Sequence, residues 1–193
     1  MKDEKMIWYK IAKPILGTIY KLWYNPKVIG AENIPTDGPI VVAGNHIHIM
    51  DQCNVIIATK RKLHYMAKKE YFDGKFAFFF KSVGCIPVDR SKKDGNAVSK
   101  ALEVLNSGNA IGIFPEGTRN RTNEELLKFR YGAVKIAKLS NSKIIPFAIK
   151  GGYRIFRKGL NIEFGEPIDV SKMEIEEANE YVRDVVLKLL RKT

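Results

Sequence analysis

The chain has 193 residues, and 33 Lys and Arg against 21 Asp and Glu leave a formal charge of +12. That length suits one domain with a sizeable core and excludes a multidomain array. With 45% hydrophobic and 28% charged residues the chain is neither disordered nor collagen-like, and its two cysteines, Cys53 and Cys85, cannot make a disulfide framework.

Residues 6–24 carry both tryptophans and three tyrosines. At helical spacing Ile7, Ile11, Ile15, Ile19 and Leu22 share one side, and Lys10, Lys13 and Lys21 fall on the other. Pro14 is expected to kink this helix or split it. An apolar stripe, a basic stripe and amphipathic aromatics together describe a helix lying in a bilayer interface, so residues 1–24 read as a membrane-associating segment and 25–193 as the main domain. A terminal helix packed on the domain's own core is the plainer alternative. Lys10 and Lys13 interrupt what would be the apolar stretch of a secretory signal, which points to a reducing compartment. The longest run free of charged residues, Gly38–Met50, has 13 residues and falls short of the ~20 that span a bilayer as helix.

From Asn25 onward short β-rich runs alternate with helical stretches. Strands are expected at 39–43, 64–67, 85–88, 110–114 and 144–149, and helices at 52–59, 71–81, 94–106 and 124–139. Thr122 and Glu125 fit a capping box for the last of these helices. Residues 153–164 suggest an edge hairpin, and 174–192 a closing amphipathic helix. The alternation predicts a single α/β domain, with a mixed, largely parallel sheet covered by helices.

Three clusters carry chemistry. Directly after the strand PIVVA comes Asn45-His46-Ile47-His48-Ile49-Met50-Asp51. A histidine at a strand end, followed five positions later by an aspartate near a helix start, brings imidazole and carboxylate within hydrogen-bonding reach and makes a general base. A metal reading competes for His46, His48 and Asp51, but Met50 stands where a His-x-His-x-Asp-His ligand set needs its aspartate. The second cluster, Phe114-Pro115-Glu116-Gly117-Thr118-Arg119, ends the strand AIGIF and offers backbone N–H groups, a hydroxyl and a guanidinium as an anion cradle. The third, Gly84-Cys85-Ile86-Pro87-Val88-Asp89-Arg90, sets another arginine past another strand. Lys68 and Arg130 extend the pattern, and cations at strand ends suit a phosphate bound at the carboxyl edge of an α/β sheet.

Taken together these blocks resemble the PlsC-type glycerolipid acyltransferases, the lysophosphatidic acid (1-acylglycerol-3-phosphate) acyltransferases. The resemblance covers about residues 26–150. NHIHIMD is similar to the family's Asn-His-x4-Asp block, GCIPVDR to its Gly-to-Arg block, FPEGTRN to its Phe-Pro-Glu-Gly-Thr-Arg block and IPFAI to its Pro-containing strand. The resemblance implies that His46 is the general base and Asp51 its orienter, with Glu116, Gly117, Thr118 and Arg119 in the acceptor-binding block. It also implies acceptor-phosphate roles for Lys68 and Arg90. His48 departs from a usual small residue, and Arg130 from the lysine of an FKxG motif, and both bear on substrate preference.

The reaction this implies is acyl transfer from an acyl carrier protein or coenzyme A thioester to the free hydroxyl of 1-acyl-glycerol-3-phosphate, giving phosphatidic acid. No metal and no cofactor beyond that co-substrate are expected. Cys53 offers a covalent alternative, although an apolar helical setting makes it an inert thiol. Tyr71, Phe72, Phe76, Phe78, Phe79 and Phe80 line an acyl-chain groove, touch lipid or only fill the core. The expected location is the cytoplasmic face of the cell membrane, peripheral or monotopic, with an anionic lipid surface and the lysolipid as partners. The rival classes are another lysolipid as acceptor, a basic lipid-binding module without catalysis, and a nucleic-acid-binding module. Against the last, the basic residues are spread along the chain and no nucleic-acid motif is present, so no nucleic-acid partner is expected.

Overall fold

The structure, a computed structural model, describes residues 7–75, 77–89, 91 and 94–192. Among these, seven strands form one sheet: β1 (Lys27–Ile29), β2 (Ile40–Gly44), β3 (Leu63–Lys68), β4 (Ile86–Val88), β5 (Ala110–Ile113), β6 (Lys143–Lys150) and β7 (Asn161–Phe164). The helices are α1 (Ile7–Tyr24), α2 (Asp51–Ala58), α3 (Ala77–Ser82), α4 (Gly95–Asn106), α5 (Gly132–Leu139) and α6 (Ile175–Arg191). The sheet order is β1-β7-β6-β2-β5-β3-β4. The five strands from β6 to β4 are mutually parallel, while β7 runs antiparallel to β6 and parallel to β1. This is the single α/β domain with a mixed, largely parallel sheet that the alternation of elements predicts.

The central strand β2 reads IVVAG and is buried along its whole length, as a strand with neighbours on both edges and helices on both faces must be. Successive side chains point to opposite faces. Val41 and Ala43 therefore join one core with α4, α5 and α6, and Ile40 and Val42 join another with Val55 of α2 and Tyr24 of α1. Gly44 closes β2 because a Cβ there would lie 2.2 Å from the Phe147 carbonyl oxygen of β6. That close approach brings the end of β2, and the residues after it, against the end of β6.

Several local expectations are overturned by tertiary contacts. Helix α5 starts at Gly132, not at Glu124. The N–H groups that would continue it backward are taken: Leu127 N–H donates to Glu116 Oε2 at 3.0 Å, and Arg130 N–H to the Pro115 carbonyl at 2.8 Å. Thr122 caps no helix; its Oγ1 accepts from Glu124 N–H, while Glu125 pairs with Arg191. The predicted helix over 71–81 is a 3-10 turn, Lys69–Phe72, and the short α3, which begins only at Ala77; Phe76 lies outside the described residues. Residues 153–164 form no hairpin. Only β7 is a strand, and it sits inside the sheet because the unanticipated β1 pairs along its outer edge.

Helix α1 runs through Pro14 without a break. Contacts on both sides of the proline tie it down: the Tyr9 hydroxyl accepts from Leu63 N–H, and Tyr20 donates to Asn54 Oδ1. Lys13 does not join an outward basic stripe. Its Nζ donates to the carbonyls of Thr59 at 2.5 Å and Arg61 at 3.1 Å, and desolvation lowers its pKa to about 8. The helix turns Tyr9, Lys13 and Tyr20 toward the domain and leaves Ile15, Leu16, Ile19, Leu22 and Trp23 exposed.

Candidate active site

Because β2, β5, β3, β4 and β6 are parallel, the segments that follow them emerge at one edge of the sheet. His46 follows β2, residues 114–119 follow β5, Lys68 ends β3 and Tyr153 follows β6. That placement sets every described candidate along one rim, at roughly 4.8 Å per strand.

The imidazole of His46 and the carboxylate of Asp51 meet: Nδ1 lies 2.7 Å from Oδ2. Asp51 is the first residue of α2 and fully buried. Its Oδ2 also accepts from the N–H groups of Ile47 at 2.6 Å and His48 at 2.8 Å. Oδ1 accepts a short hydrogen bond from the Tyr153 hydroxyl. Burial, with Asp51 alongside, pushes the Tyr153 pKa far above its ordinary value, so that hydroxyl remains a donor. The carboxylate is thus met by four polar groups, the His46 ring nitrogen, two backbone N–H groups and the Tyr153 hydroxyl. The ring face of His46 stacks on Phe114, centroids 4.0 Å apart and planes 14° from parallel. Carboxylate and phenyl ring together fix both the tautomer and the tilt of the imidazole.

Glu116 is buried, and both its oxygens are engaged by backbone: Oε1 accepts from His46 N–H at 2.6 Å and Oε2 from Leu127 N–H. Asn120 N–H donates to the His46 carbonyl at 2.6 Å. Glu116 and Asn120 therefore clamp the backbone of His46 from both sides. Burial raises the Glu116 pKa above its ordinary value of 4.5, against the lowering effect of the two N–H donors. Gly117 has φ +70°, and a Cβ on it would lie 2.7 Å from Nε of Arg130. Glycine here lets the Arg130 side chain cross the turn. Thr118 and Arg130 are exposed and Arg119 is half-buried. Lys68 is exposed and pairs with Glu70 at 2.8 Å. Arg90 lies outside the described residues.

His48 turns away from the dyad and stacks on Tyr153, centroids 4.1 Å apart, with Nδ1 accepting from Met50 N–H at 3.3 Å. His64 is buried elsewhere, its Nδ1 2.8 Å from the Gly84 carbonyl. Among the described residues, no three His, Cys, Asp or Glu side chains gather where they could hold a metal ion. Burial raises the Cys53 thiol to about 11 and the Cys85 thiol to about 12. The aromatic segment divides: Phe72 is buried, Tyr71 stacks on Phe80 at 5.1 Å, and Tyr71, Phe78 and Phe79 are exposed.

Sequence reasoning missed a chain of side chains behind the dyad. The Tyr153 hydroxyl accepts from Asn54 Nδ2 at 2.7 Å, and Asn54 Oδ1 accepts from the Tyr20 hydroxyl of α1 at 2.9 Å. Asn54 and Tyr20 are both buried. Asn45 forms a second missed link, bonding the Ile149 N–H and carbonyl through its amide at 2.7 and 2.9 Å and so fastening the end of β2 to β6. The one signal in the sequence was Asn45 itself, inside the histidine block. Nothing in it says that β6 lies beside β2.

Residues 25–150 match the model of a protein family described as Acyltransferase. The 1-acyl-sn-glycerol-3-phosphate acyltransferase of Bacillus subtilis is 34% identical over 166 residues, covering 83% of this chain and 82% of that protein. That of Borreliella burgdorferi is 30% identical over 177 residues, covering 84% of this chain and 70% of that one. The crystal structure of the 1-acyl-sn-glycerophosphate (LPA) acyltransferase PlsC from Thermotoga maritima superposes with a TM-score of 0.72 at 25% identity, covering 97% of this chain and 81% of its own.

Proposed function

The chain belongs to the acyltransferase family, and from that premise we propose that it moves a fatty acyl group from an acyl thioester to the free hydroxyl of 1-acyl-glycerol-3-phosphate, giving phosphatidic acid. The observation that carries the reading is the 2.7 Å contact between His46 Nδ1 and Asp51 at the carboxyl edge of the sheet. With Nδ1 engaged, Nε2 takes the proton from the lipid hydroxyl as that oxygen attacks the thioester carbonyl. The tetrahedral intermediate collapses, the C–S bond breaks, and the imidazolium returns the proton to the departing thiolate. Asp51 stabilises the imidazolium between the two steps.

A positioned base contributes ~10²–10⁴-fold in rate, whereas holding two substrates in register contributes roughly 7–11 kcal/mol. Positioning is the larger effect, and it is assigned to cations that hold the acceptor's phosphate: Lys68, Arg119 and Arg130 along the rim, and Arg90 from the family resemblance alone. Glu116, Gly117 and Thr118 shape the turn that presents Arg119. Transfer is direct rather than through an acyl-enzyme, since the Cys53 thiol is pushed to about 11 and gives little thiolate. The donor is an acyl carrier protein or coenzyme A thioester, and no further cofactor enters the reaction.

No described helix is long and apolar enough to cross a membrane. The exposed Ile15, Leu16 and Ile19 of α1 support a peripheral or monotopic seat on a membrane, assigned here to the cytoplasmic face, with the acceptor's own acyl chain still in the bilayer. Incubating the protein with labelled acyl thioester and lysophosphatidate tests the reaction: labelled phosphatidate is expected, and its absence with either thioester overturns it. Comparing the two thioesters at equal concentration identifies the donor.

A further inference from the structure

The segment after β6 ends in an apolar tip. Phe156 is 77% exposed, the highest value among the large apolar side chains of the described residues, and Ile155 beside it is 52% exposed. The tip stands against the last turn of α1, where Leu22 and Trp23 are also exposed; Phe156 N–H donates to the Trp23 carbonyl at 2.6 Å. Two segments far apart in sequence thus merge into one outward apolar surface. Its flanks are cationic: Arg154, Arg157 and Lys158 are exposed on the tip. No acidic residue occurs between positions 5 and 31 or between 126 and 162.

The same segment reaches the dyad. Tyr153, two residues before Ile155, donates to Asp51 and stacks on His48, and its ring meets that of Tyr24 edge-on at 5.5 Å. A surface within three residues of the catalytic carboxylate is where a lipid acceptor leaving the bilayer would arrive. We infer that the tip, residues 154–158, is a second membrane contact that seats the mouth of the active site on an anionic bilayer. Apolar side chains ringed by cations, without acids, match a leaflet carrying negative lipid: the tip enters the interface and the guanidinium groups lie among the headgroups. This inference rests on the lipid-surface reading proposed above and extends it to a segment outside α1.

The test measures sedimentation of the full chain with vesicles of phosphatidylcholine, with and without phosphatidylglycerol, and no thioester present. Phe156 has φ +59°, so Phe156→Gly removes the ring and relaxes the backbone at once. Phe156→Gly combined with Ile155→Ser is expected to weaken vesicle partition by about tenfold or more with no fall in unfolding temperature. The rate on a water-soluble short-chain lysophosphatidate is expected to persist while the rate on vesicle-borne acceptor drops. Arg154→Gln with Arg157→Gln is expected to weaken the preference for phosphatidylglycerol, and a preference equal to wild type overturns the role of these two cations. Vesicle binding equal to wild type in the Phe156→Gly, Ile155→Ser chain overturns the inference and leaves the α1 reading standing; if a higher KM for acyl carrier protein thioester accompanies it, the surface belongs to that acidic donor. A wild-type chain that ignores both vesicles overturns the lipid-surface reading and this inference together, whatever its phosphatidate synthesis.

Discussion

The hydroxyl of Tyr153, after β6, and the imidazole of His46, after the neighbouring β2, grip the two oxygens of one carboxylate, Asp51, at the start of α2. On the proposed mechanism Tyr153 is a positioning residue, acting on His46 through the aspartate. Tyr153→Phe keeps the ring stacked on His48 and removes one donor to a buried charge, worth ~1.5 kcal/mol or more. The expected outcome is a fall in kcat of about tenfold with the acceptor KM little changed. The pH profile of kcat is expected to shift as well, because the carboxylate facing the imidazolium has lost a hydrogen bond, and a merely structural role would leave that profile in place.

His46→Ala is expected to lower turnover by ~10²–10⁴-fold while far-UV circular dichroism and unfolding temperature stay near wild type. A variant with more than about a tenth of the parent rate contradicts the general-base assignment, given the size of that effect.

Glu116 links pH to stability through its raised pKa. The folded chain keeps this proton more readily than the unfolded chain between the ordinary value of 4.5 and the raised one, so its contribution to stability is present at low pH and diminishes as pH climbs through that window. Glu116→Gln is expected to flatten this segment of the stability profile. At neutral pH the glutamine amide can accept from only one of the two N–H groups, leaving the other unpaired at a cost of about 1–3 kcal/mol. Urea unfolding of both proteins across the acid range checks both statements.

Cys53→Ala is expected to leave activity within about twofold of wild type. With the thiol at about 11, only about one part in a thousand is thiolate at pH 8, so iodoacetamide should label Cys53 far more slowly than a free thiol. A labelled acyl group trapped on Cys53 during turnover would contradict direct transfer.

Ile15→Gln with Ile19→Gln alters the exposed side of α1 without touching Tyr9, Lys13 or Tyr20. Vesicle binding is expected to weaken while thermal stability is kept or improved, because both side chains are exposed in the folded chain. Deleting residues 1–24 is a poorer test: it also removes the hydroxyl that Asn54 bonds and opens the core beneath α1.

What could be read from the amino acids alone follows from how local each cause is. The strand β2 and the His46–Asp51 pair were legible because a buried run and a five-residue spacing are decided within one turn of chain. Helix α6 was legible for the same reason: Ala178, Val182, Val186 and Leu189 recur at helical spacing and are buried. Glu116 misled twice. Its carboxylate captures Leu127 N–H and stops a helix that residues 124–131 would otherwise begin, and it faces backbone rather than solvent. Lys13 looked like one of a stripe of cations, and only the nearness of the Thr59 and Arg61 carbonyls turns it inward. Tyr153, Asn54 and Tyr20 were illegible because their meeting depends on strand order, and β6 pairs with β2 across more than a hundred residues of sequence.

The line Tyr20, Asn54, Tyr153, Asp51 makes the amino-terminal helix a support of the proposed dyad as well as a proposed seat on the bilayer. A helix that rolls by even a fraction of a turn pulls on Asn54, and through it on the residue that aims the imidazole. Losing the bilayer would then blunt the reaction twice, once by removing the lipid and once by slackening the aspartate.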